Sequence, residues 1–527
     1  MHLNQSWQQR LIGSSRARQG LAMSMLCLCR TFCLGAEPAA PEKEQLNLVP
    51  VSLEQVIVKA LTNNLDISIE RLNPQISFED IQIAVAGYDP LINFSGQHNY
   101  SVSGGGIDQQ NRPIPSSKSD SDTFTGGLNG LTPWGMTYNL SGRVNETYGQ
   151  TGGTTSSNSF LAPFDRANGS AGLTLTQPLL RNLWIDSTRY TIQVNKNLYR
   201  ITEQRLALQV MNVLTAVEQA YYDLIFAREN VKVMQAGLQL AQRLSEEDRR
   251  RVEIGKLAPL DEKKSQAEVA ARQTDLTTAQ RALGTAQNNL KKLITANYRA
   301  VHDEIFNPTD PLLAVPFPVD LQDSWTRGMR LRPDLQQARL DLERQGITLK
   351  YYRNQMLPQL DVTGSYGFAA SGALQEYSDA FGDISRGDKP FYAIGGVFSI
   401  PLENKAARSR VKQSKLNVQQ ALLTLKKLEE NALVLIDEAA GQLNAAFKQV
   451  ESSREARIYA EAALEAEQKK LTAGKSTSYL VLQFQRDLTA ARSAEIQALS
   501  EYNKDRSQLF LQEGTTLERR GIKVQVK

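Results

Sequence analysis

Cysteine is nearly absent from this chain. The 527 residues hold three, Cys27, Cys29 and Cys33, all close to the N-terminus. Residues 1–36 read as a secretory signal peptide: Arg10, Arg16 and Arg18 precede an apolar run at 21–29, and Leu34, Gly35 and Ala36 offer a small-residue cleavage site. Arg30 interrupts the apolar region, and the basic region before it is long, as a start codon further along would explain. Cutting after Ala36 removes all three thiols, so the mature chain has no disulfide and no Cys-based metal site. No lipobox precedes Cys27, Cys29 or Cys33, which argues against a lipid anchor there.

Charge of one sign is lacking too. The formal net charge is +4, from 60 basic and 56 acidic residues, but the signal segment carries four Arg and no acid. The remainder is neutral, and nucleic acid is not expected as a partner. Beyond residue 36 no run of eighteen apolar residues exists, so no helix is expected to span a bilayer. An exported chain without such a helix is either soluble in the periplasm or inserted as a closed β-barrel.

The chemistry of catalysis is missing as well. His2 leaves with the signal, while His98 on a strand and His302 in a connector have no metal-ligand spacing. Gly104, Gly105 and Gly106 lack the strand-to-helix context of a phosphate loop, and no GxxxxGK[ST] occurs. No nucleophile–base constellation is found, so neither an enzyme nor a cofactor is expected. Glu246, Glu247 and Asp248 followed by Arg249, Arg250 and Arg251 read as a solvated helical face.

What the chain does have is a heptad seam. Val210, Val217, Leu224, Val231 and Leu238 recur every seven residues, with Val213, Ala220, Ala227, Met234 and Ala241 at the second position. A seam this long without Pro argues for a coiled-coil helix, and its alanines let neighbouring helices approach closely. The predicted helix runs over 186–254, breaks at Gly255 to Pro259 and returns over 260–297. Before it, 52–86 reads as helical, with Ser52 as N-cap, Gln55 completing a capping box and Pro74 interrupting. Strands then follow at 92–102, 124–131, 137–148 and 171–177, separated by polar loops at 104–122 and 150–168. Apolar Ile92, Phe94, Tyr100 and Val102 alternate with Asn93, Ser95, Gln97, Asn99 and Ser101, as expected of a transmembrane barrel strand around a watery lumen.

The programme then starts again. Prolines 308, 311, 316 and 318 mark a non-helical connection, followed by a helix at 321–356, a strand opened by Pro358 and carrying Val362, Tyr366 and Phe368, a loop at 371–388 and a strand at 391–400. A second long helix at 406–471 breaks at Gly474 and returns over 479–512. Setting Gly255 against Gly474 pairs Val217 with Ile436, Leu224 with Leu443 and Val231 with Val450. The strand-ending prolines 178 and 401 are four residues further apart than the glycines, which predicts a second long helix one turn shorter. Each half is thus a helix of roughly 100 Å beside two stacked half-length helices, with strands at one end and a tight turn at the other.

With both repeats placed, the chain resembles the TolC family of outer-membrane efflux channels. The resemblance rests on Val51, Ser52, Leu53, Glu54 and Gln55 with Asn63, Asn64 and Leu65, and on Arg332, Pro333, Asp334 and Leu335. The strand exits around Pro178 and Pro401 fit, as do the turns Arg251-x-x-x-Gly255 and Lys470-x-x-x-Gly474. It implies an α+β membrane protein: a long α-helical coiled-coil barrel joined to an outer-membrane β-barrel, shared by a homotrimer and built from two internal repeats. The organisation is then a signal at 1–36, repeats at 37–310 and 311–520, and a tail at 521–527. The resemblance further implies a passive duct of a tripartite efflux or type I secretion system, with outer-membrane lipid, a periplasmic adaptor and an inner-membrane pump as partners. Arg251, Gly255, Ala258, Pro259, Leu260, Lys470, Gly474, Ser476 and Thr477 would form the adaptor-contact tips. The two glycines also simply permit a left-handed turn.

Two departures from the family pattern stand out. Where some members close the periplasmic entrance with an aspartate pair, this chain has Leu480 and Gln483, so an apolar or amide-lined constriction is expected. The hairpin at 124–148 is additional to two strands per half. Within the wall it gives six strands per protomer and eighteen per trimer; outside the wall, twelve. The competing reading is a periplasmic coiled-coil scaffold that never enters a membrane, which has no use for Tyr366 and Phe368 on one strand face and Thr363 and Ser365 on the other.

Overall fold

The computed structural model describes residues 47–155, 157–370 and 376–523. The signal segment with its cysteines, and tail residues 524–527, lie outside the described residues.

The chain opens with β1 (Asn47–Val51), α1 (Leu53–Asn63) and α2 (Leu65–Val85). Ser52 and Gln55 close the expected capping box, at 3.3 Å from Gln55 N–H to Ser52 Oγ and 3.2 Å from Ser52 N–H to Gln55 Oε1. The interruption falls at Asn64 rather than at Pro74. Asn64 is extended (φ −68°, ψ 127°), its Oδ1 accepts from Ile67 N–H to cap α2, and its Nδ2 donates to the Leu293 carbonyl 2.9 Å away. Pro74 sits buried inside α2, which runs on through it. A proline costs one helical hydrogen bond, and packing along the next long helix holds the element together regardless.

Next come β2 (Leu91–Ser103), β3 (Gly106–Ile107), β4 (Pro113–Ile114), β5 (Ser117–Leu131), β6 (Thr137–Thr154) and β7 (Ser159–Pro178). The three later strands reach well into the stretches expected to be loops. Pairing continues to Ser103 opposite Ser117 and to Thr154 opposite Ser159, beyond the point where apolar alternation fades. The backbone ladder needs no apolar side chain, so hydropathy underestimates such strands.

The first long helix is α3 (Ser187–Glu253, 67 residues), capped by Asp186, and it returns as α4 (Pro259–Ile294). β8 (Glu304–Pro308) then pairs in parallel with β1. The second half supplies α5 (Leu321–Leu331), α6 (Pro333–Gln355), β9 (Gln359–Ala370), α7 (Tyr377–Arg386), β10 (Pro390–Ser399), α8 (Lys405–Thr472), α9 (Ser478–Gln512) and α10 (Thr516–Arg519).

Three further expectations change. The helix at 321–356 breaks at Arg332, extended at φ −60°, ψ 122° before Pro333, as the residue preceding a proline tends to be. The second long helix is not shorter: α8 has 68 residues against 67 in α3, and the bend at 179–186 before α3 is five residues longer than the one at 402–404 before α8. The expected loop at 371–388 contains α7, an amphipathic helix ended by Gly387 at φ 72°. The breaks at Asn64 and Arg332 occupy matching places in the two repeats, after helices of 11 residues each.

α3 packs along α2 and α4 of its own repeat and along α6 and α9 of the other, while α8 packs along α5, α6 and α9. One apolar core gathers Val217, Tyr221 and Leu224 with Val56, Leu290 and Phe306; another gathers Leu443, Val450, Tyr502 and Leu509. The proline-rich connector joins both. Tyr221 Oη donates to the Asp310 carboxylate (2.7 Å) and the Val51 carbonyl (3.0 Å), and Tyr502 Oη donates to the Val315 carbonyl.

Candidate functional site at the helical tips and the strand wall

Both hairpins turn by the same backbone device. At the first, Gly255 N–H donates to the Val252 carbonyl (2.9 Å) and Lys256 N–H to that of Arg251 (2.8 Å). At the second, Gly474 N–H donates to Leu471 (3.1 Å) and Lys475 N–H to Lys470 (2.9 Å). This is the Schellman motif, with Gly255 and Gly474 both at φ 72°. It explains the motif spacing physically: Arg251 and Lys470 are the residues whose carbonyls the turn satisfies. A Cβ on either glycine would meet nothing within 4 Å, so the turns stand free of neighbours.

Around the turns, Ala258 is the N-cap of α4 with Pro259 as its first residue, and Leu260 is 65% exposed. Thr477 is the N-cap of α9. Ser476 Oγ and Lys470 Nζ (2.9 Å) both bond Glu467, while Arg251 is half-buried. Leu480 and Gln483 are exposed on α9. Of the seam residues, Val210, Val217, Leu224 and Leu238 on α3 and Ile436, Leu443 and Val450 on α8 are buried, and Val231 is half-buried. Ile254 and Tyr479, which sequence reasoning passed over, add exposed apolar surface beside the turns.

Sequence reasoning also missed the carboxylates between the hairpins. Asp248, read as part of a solvated face, is fully buried and accepts from Ser478 Oγ of α9 at 2.6 Å. It lies four residues after Leu244, on the inward side of α3, whereas Glu246 and Glu247 face solvent. Burial pushes its carboxyl above the usual range, with the Ser478 bond opposing. Glu467 holds the matching place in the second repeat; both precede their turn glycine by seven residues. That shared position was the available signal.

Higher up, Glu268 of α4 is buried and receives Arg486 of α9 through Nε at 3.0 and 3.1 Å, and Arg272 at 2.8 Å. The Arg486 bond, aided by Arg272, holds its carboxyl below the usual range despite burial. A depressed carboxyl stabilises the fold above the ordinary glutamate range, and that stabilisation is lost as pH falls through the depressed value. Glu268→Gln is expected to cost about 2 kcal/mol at neutral pH, less than a fully buried pair because Arg486 is half exposed. Denaturant midpoints of wild type and variant should therefore converge on acidification; a gap independent of pH would refute the tie.

At the other end, the strands form one antiparallel sheet in the order β10-β9-β7-β6-β5-β2. The additional hairpin is thus part of the sheet, between β2 and β7, and the chain contributes six strands. One face carries Phe94, Phe124, Leu140, Leu173, Tyr366 and Ile394, and Phe94 is 84% exposed. The opposite face carries Asn93, Thr125, Asn139, Thr174 and Thr363; there Asn145 bonds Ser121, Thr123 and Thr147. His98 belongs to the apolar face above Phe94, where its Nδ1 lies 2.6 Å from Asp122. Trp134 and Trp184, both exposed, mark the end nearest the helices, as an interfacial aromatic girdle does. Among the described residues no helix is long and apolar enough to cross a membrane, and an apolar sheet face this exposed marks a surface built to meet lipid or another protein.

A strand wall with one lipid-seeking and one polar face, continued by paired helical hairpins, defines an export channel of the outer membrane. The model of the outer membrane efflux protein family matches residues 144–296 and 329–514, and the chain belongs to that family. It is 23% identical over 335 residues to outer membrane efflux protein BepC of Brucella suis biovar 1 (strain 1330), covering 63% of this chain and 69% of BepC. To outer membrane protein TolC of Escherichia coli (strain K12) it is 24% identical over 294 residues, 54% of this chain and 56% of TolC. Its fold matches the outer-membrane channel OprN with a TM-score of 0.65 at 16% identity, covering 88% of this chain and 90% of that one. The chain is an outer-membrane efflux channel with its helical part in the periplasm, and the scaffold reading falls away.

Proposed function

We propose that three copies of this chain close one eighteen-stranded barrel and one twelve-helix tunnel. The tips at 251–261 and 470–480 dock onto a periplasmic adaptor coupled to an inner-membrane pump. The observation that carries this is the sheet itself: six strands end in two unpaired edges, β10 and β2. Such edges need partners, and a cyclic threefold arrangement supplies each with the other. Exposed apolar residues on α2 (Ile69, Leu72, Ile76) and α8 (Leu416, Leu423) support the same arrangement, since neighbouring subunits would cover them. The tips suit docking because Ile254, Leu260, Tyr479 and Leu480 stand exposed around two rigid turns. Leu480 and Gln483 would line the periplasmic entrance. The duct is passive: direction and energy come from the pump.

Electron microscopy of the protein extracted from outer membranes in mild detergent tests the assembly. The expected image is a threefold tube whose helical part projects roughly 100 Å from the detergent belt, with eighteen strands in cross-section. Twelve strands would mean that the additional hairpin leaves the wall on assembly; a lone thin rod would overturn the trimer.

A further inference from the structure

α7 is not needed to complete the wall, yet it is built onto it. Tyr377, Ala380 and Ile384 recur along one side of this ten-residue helix, and Ala380 is fully buried against Val144, Ala167 and Ala370. Those three side chains belong to the apolar, lipid-facing side of the sheet. The Tyr377 ring meets Phe124 edge-on at 5.5 Å between centroids. The opposite side of α7 presents Ser378, Asp379, Ser385 and Arg386 to solvent, while Phe381 is 60% exposed at its edge. A short helix with one apolar and one charged side, lying flat against a membrane-facing wall, has the pattern of an interfacial helix.

Between α7 and β2 the wall is not covered. A groove of about 580 Å³ remains, floored by Gly126, Gly142 and Ala171 and walled by Phe94, Phe124 and Phe381. Gly126 pairs with Gly142 and Gly142 with Ala171, so small residues lie side by side across three strands at one level. Just above, on the same face, apolar residues give way to His98, Asp120 and Asp122, which marks the change from acyl chains to headgroups.

We propose that this groove holds an acyl chain of an outer-leaflet lipid, pinned between α7 and the wall with its headgroup level with the His98–Asp122 pair. The groove is continuous with the lipid-facing surface of the barrel, and its surface is mostly apolar, although Ser95, Thr125, Arg143 and Ser170 also border it. The inference rests on the outer-membrane placement of the sheet and is independent of the tips and their partners.

The test is tryptophan quenching in the full-length protein, purified from membranes and reconstituted into phosphatidylcholine vesicles with or without bromine at mid-chain. Phe381→Trp adds emission over the wild-type background. More than half of the added emission should be lost in brominated vesicles, and aqueous iodide should quench it little. Quenching by iodide alone would place α7 in water, and quenching by neither would mean that protein covers the groove; both overturn the proposal. Gly142→Leu reaches into the floor from a position where a Cβ meets nothing nearer than 3.9 Å. Combined with Phe381→Trp, it should weaken the brominated-lipid quenching markedly while the assembly stays intact. Unchanged quenching would show lipid passing outside α7 and would remove the groove from the account.

Discussion

Gly474→Val is expected to abolish export while assembled channels remain in the outer membrane at wild-type levels. Gly474 sits at φ 72°, a region in which a β-branched side chain is a severe outlier costing roughly 1–2 kcal/mol or more. The cost is conformational rather than steric, because a Cβ there would meet nothing within 4 Å. Valine therefore drives the backbone out of the left-handed turn. The Lys475 to Lys470 bond goes with it, as do the positions of Ser476 and Thr477 at the start of α9. The core is untouched, so folding should survive. Export measured in cells carrying the cognate pump should fall to the level of a strain lacking the channel. Adaptor captured by cross-linking at Leu260 or Tyr479 should disappear in parallel. Gly474→Asn, which tolerates the left-handed region, should restore much of both. Retained export in the valine variant would take the tips out of the mechanism.

Leu224→Lys should act at the opposite stage, before any channel forms. Leu224 is fully buried in the core shared by α3, α1, α4 and β8. Removing it loses about 2–3 kcal/mol of apolar burial, and an unpaired ammonium in its place adds a further cost of several kcal/mol. A protein domain has roughly 5–15 kcal/mol of net stability, so such a loss should lower the yield of assembled oligomer more than tenfold. Leu224→Met, a volume-conserving change costing less than about 1.5 kcal/mol, should assemble normally. Normal assembly of the lysine variant would mean that Leu224 does not face the core.

The sequence made visible whatever rests on local periodicity. The capping box at Ser52, the heptads of α3 and the two turn glycines follow from short-range spacings, and the internal repeat from the same local patterns occurring twice in the same order. Long-range features were hidden. β1 pairs with β8 across some 250 residues, and no local pattern announces a parallel pair five residues long. Pro74 looked like the breaker because proline weakens helices. Asn64 was the actual break because its side chain offers the backbone an alternative cap. Asp248 looked solvated among charged neighbours, yet the helical period turns it inward where its neighbours turn out. The α7 helix was hidden by a loop rich in Gly, Ser and Asp, the composition of turns. Its apolar residues have meaning only once the sheet behind them exists.

The additional hairpin has a consequence for circumference. In the proposed trimer, eighteen strands spaced about 4.8 Å apart and tilted by about 40° would make a wall roughly 110 Å around. Twelve helices set about 9–10 Å apart make a ring of nearly the same girth. Twelve strands at that tilt would reach only about 75 Å, and the bore would have to taper between helix and sheet. In the proposed trimer the hairpin would make the two perimeters match, and cargo would meet no step in gauge where the helices hand over to the strands.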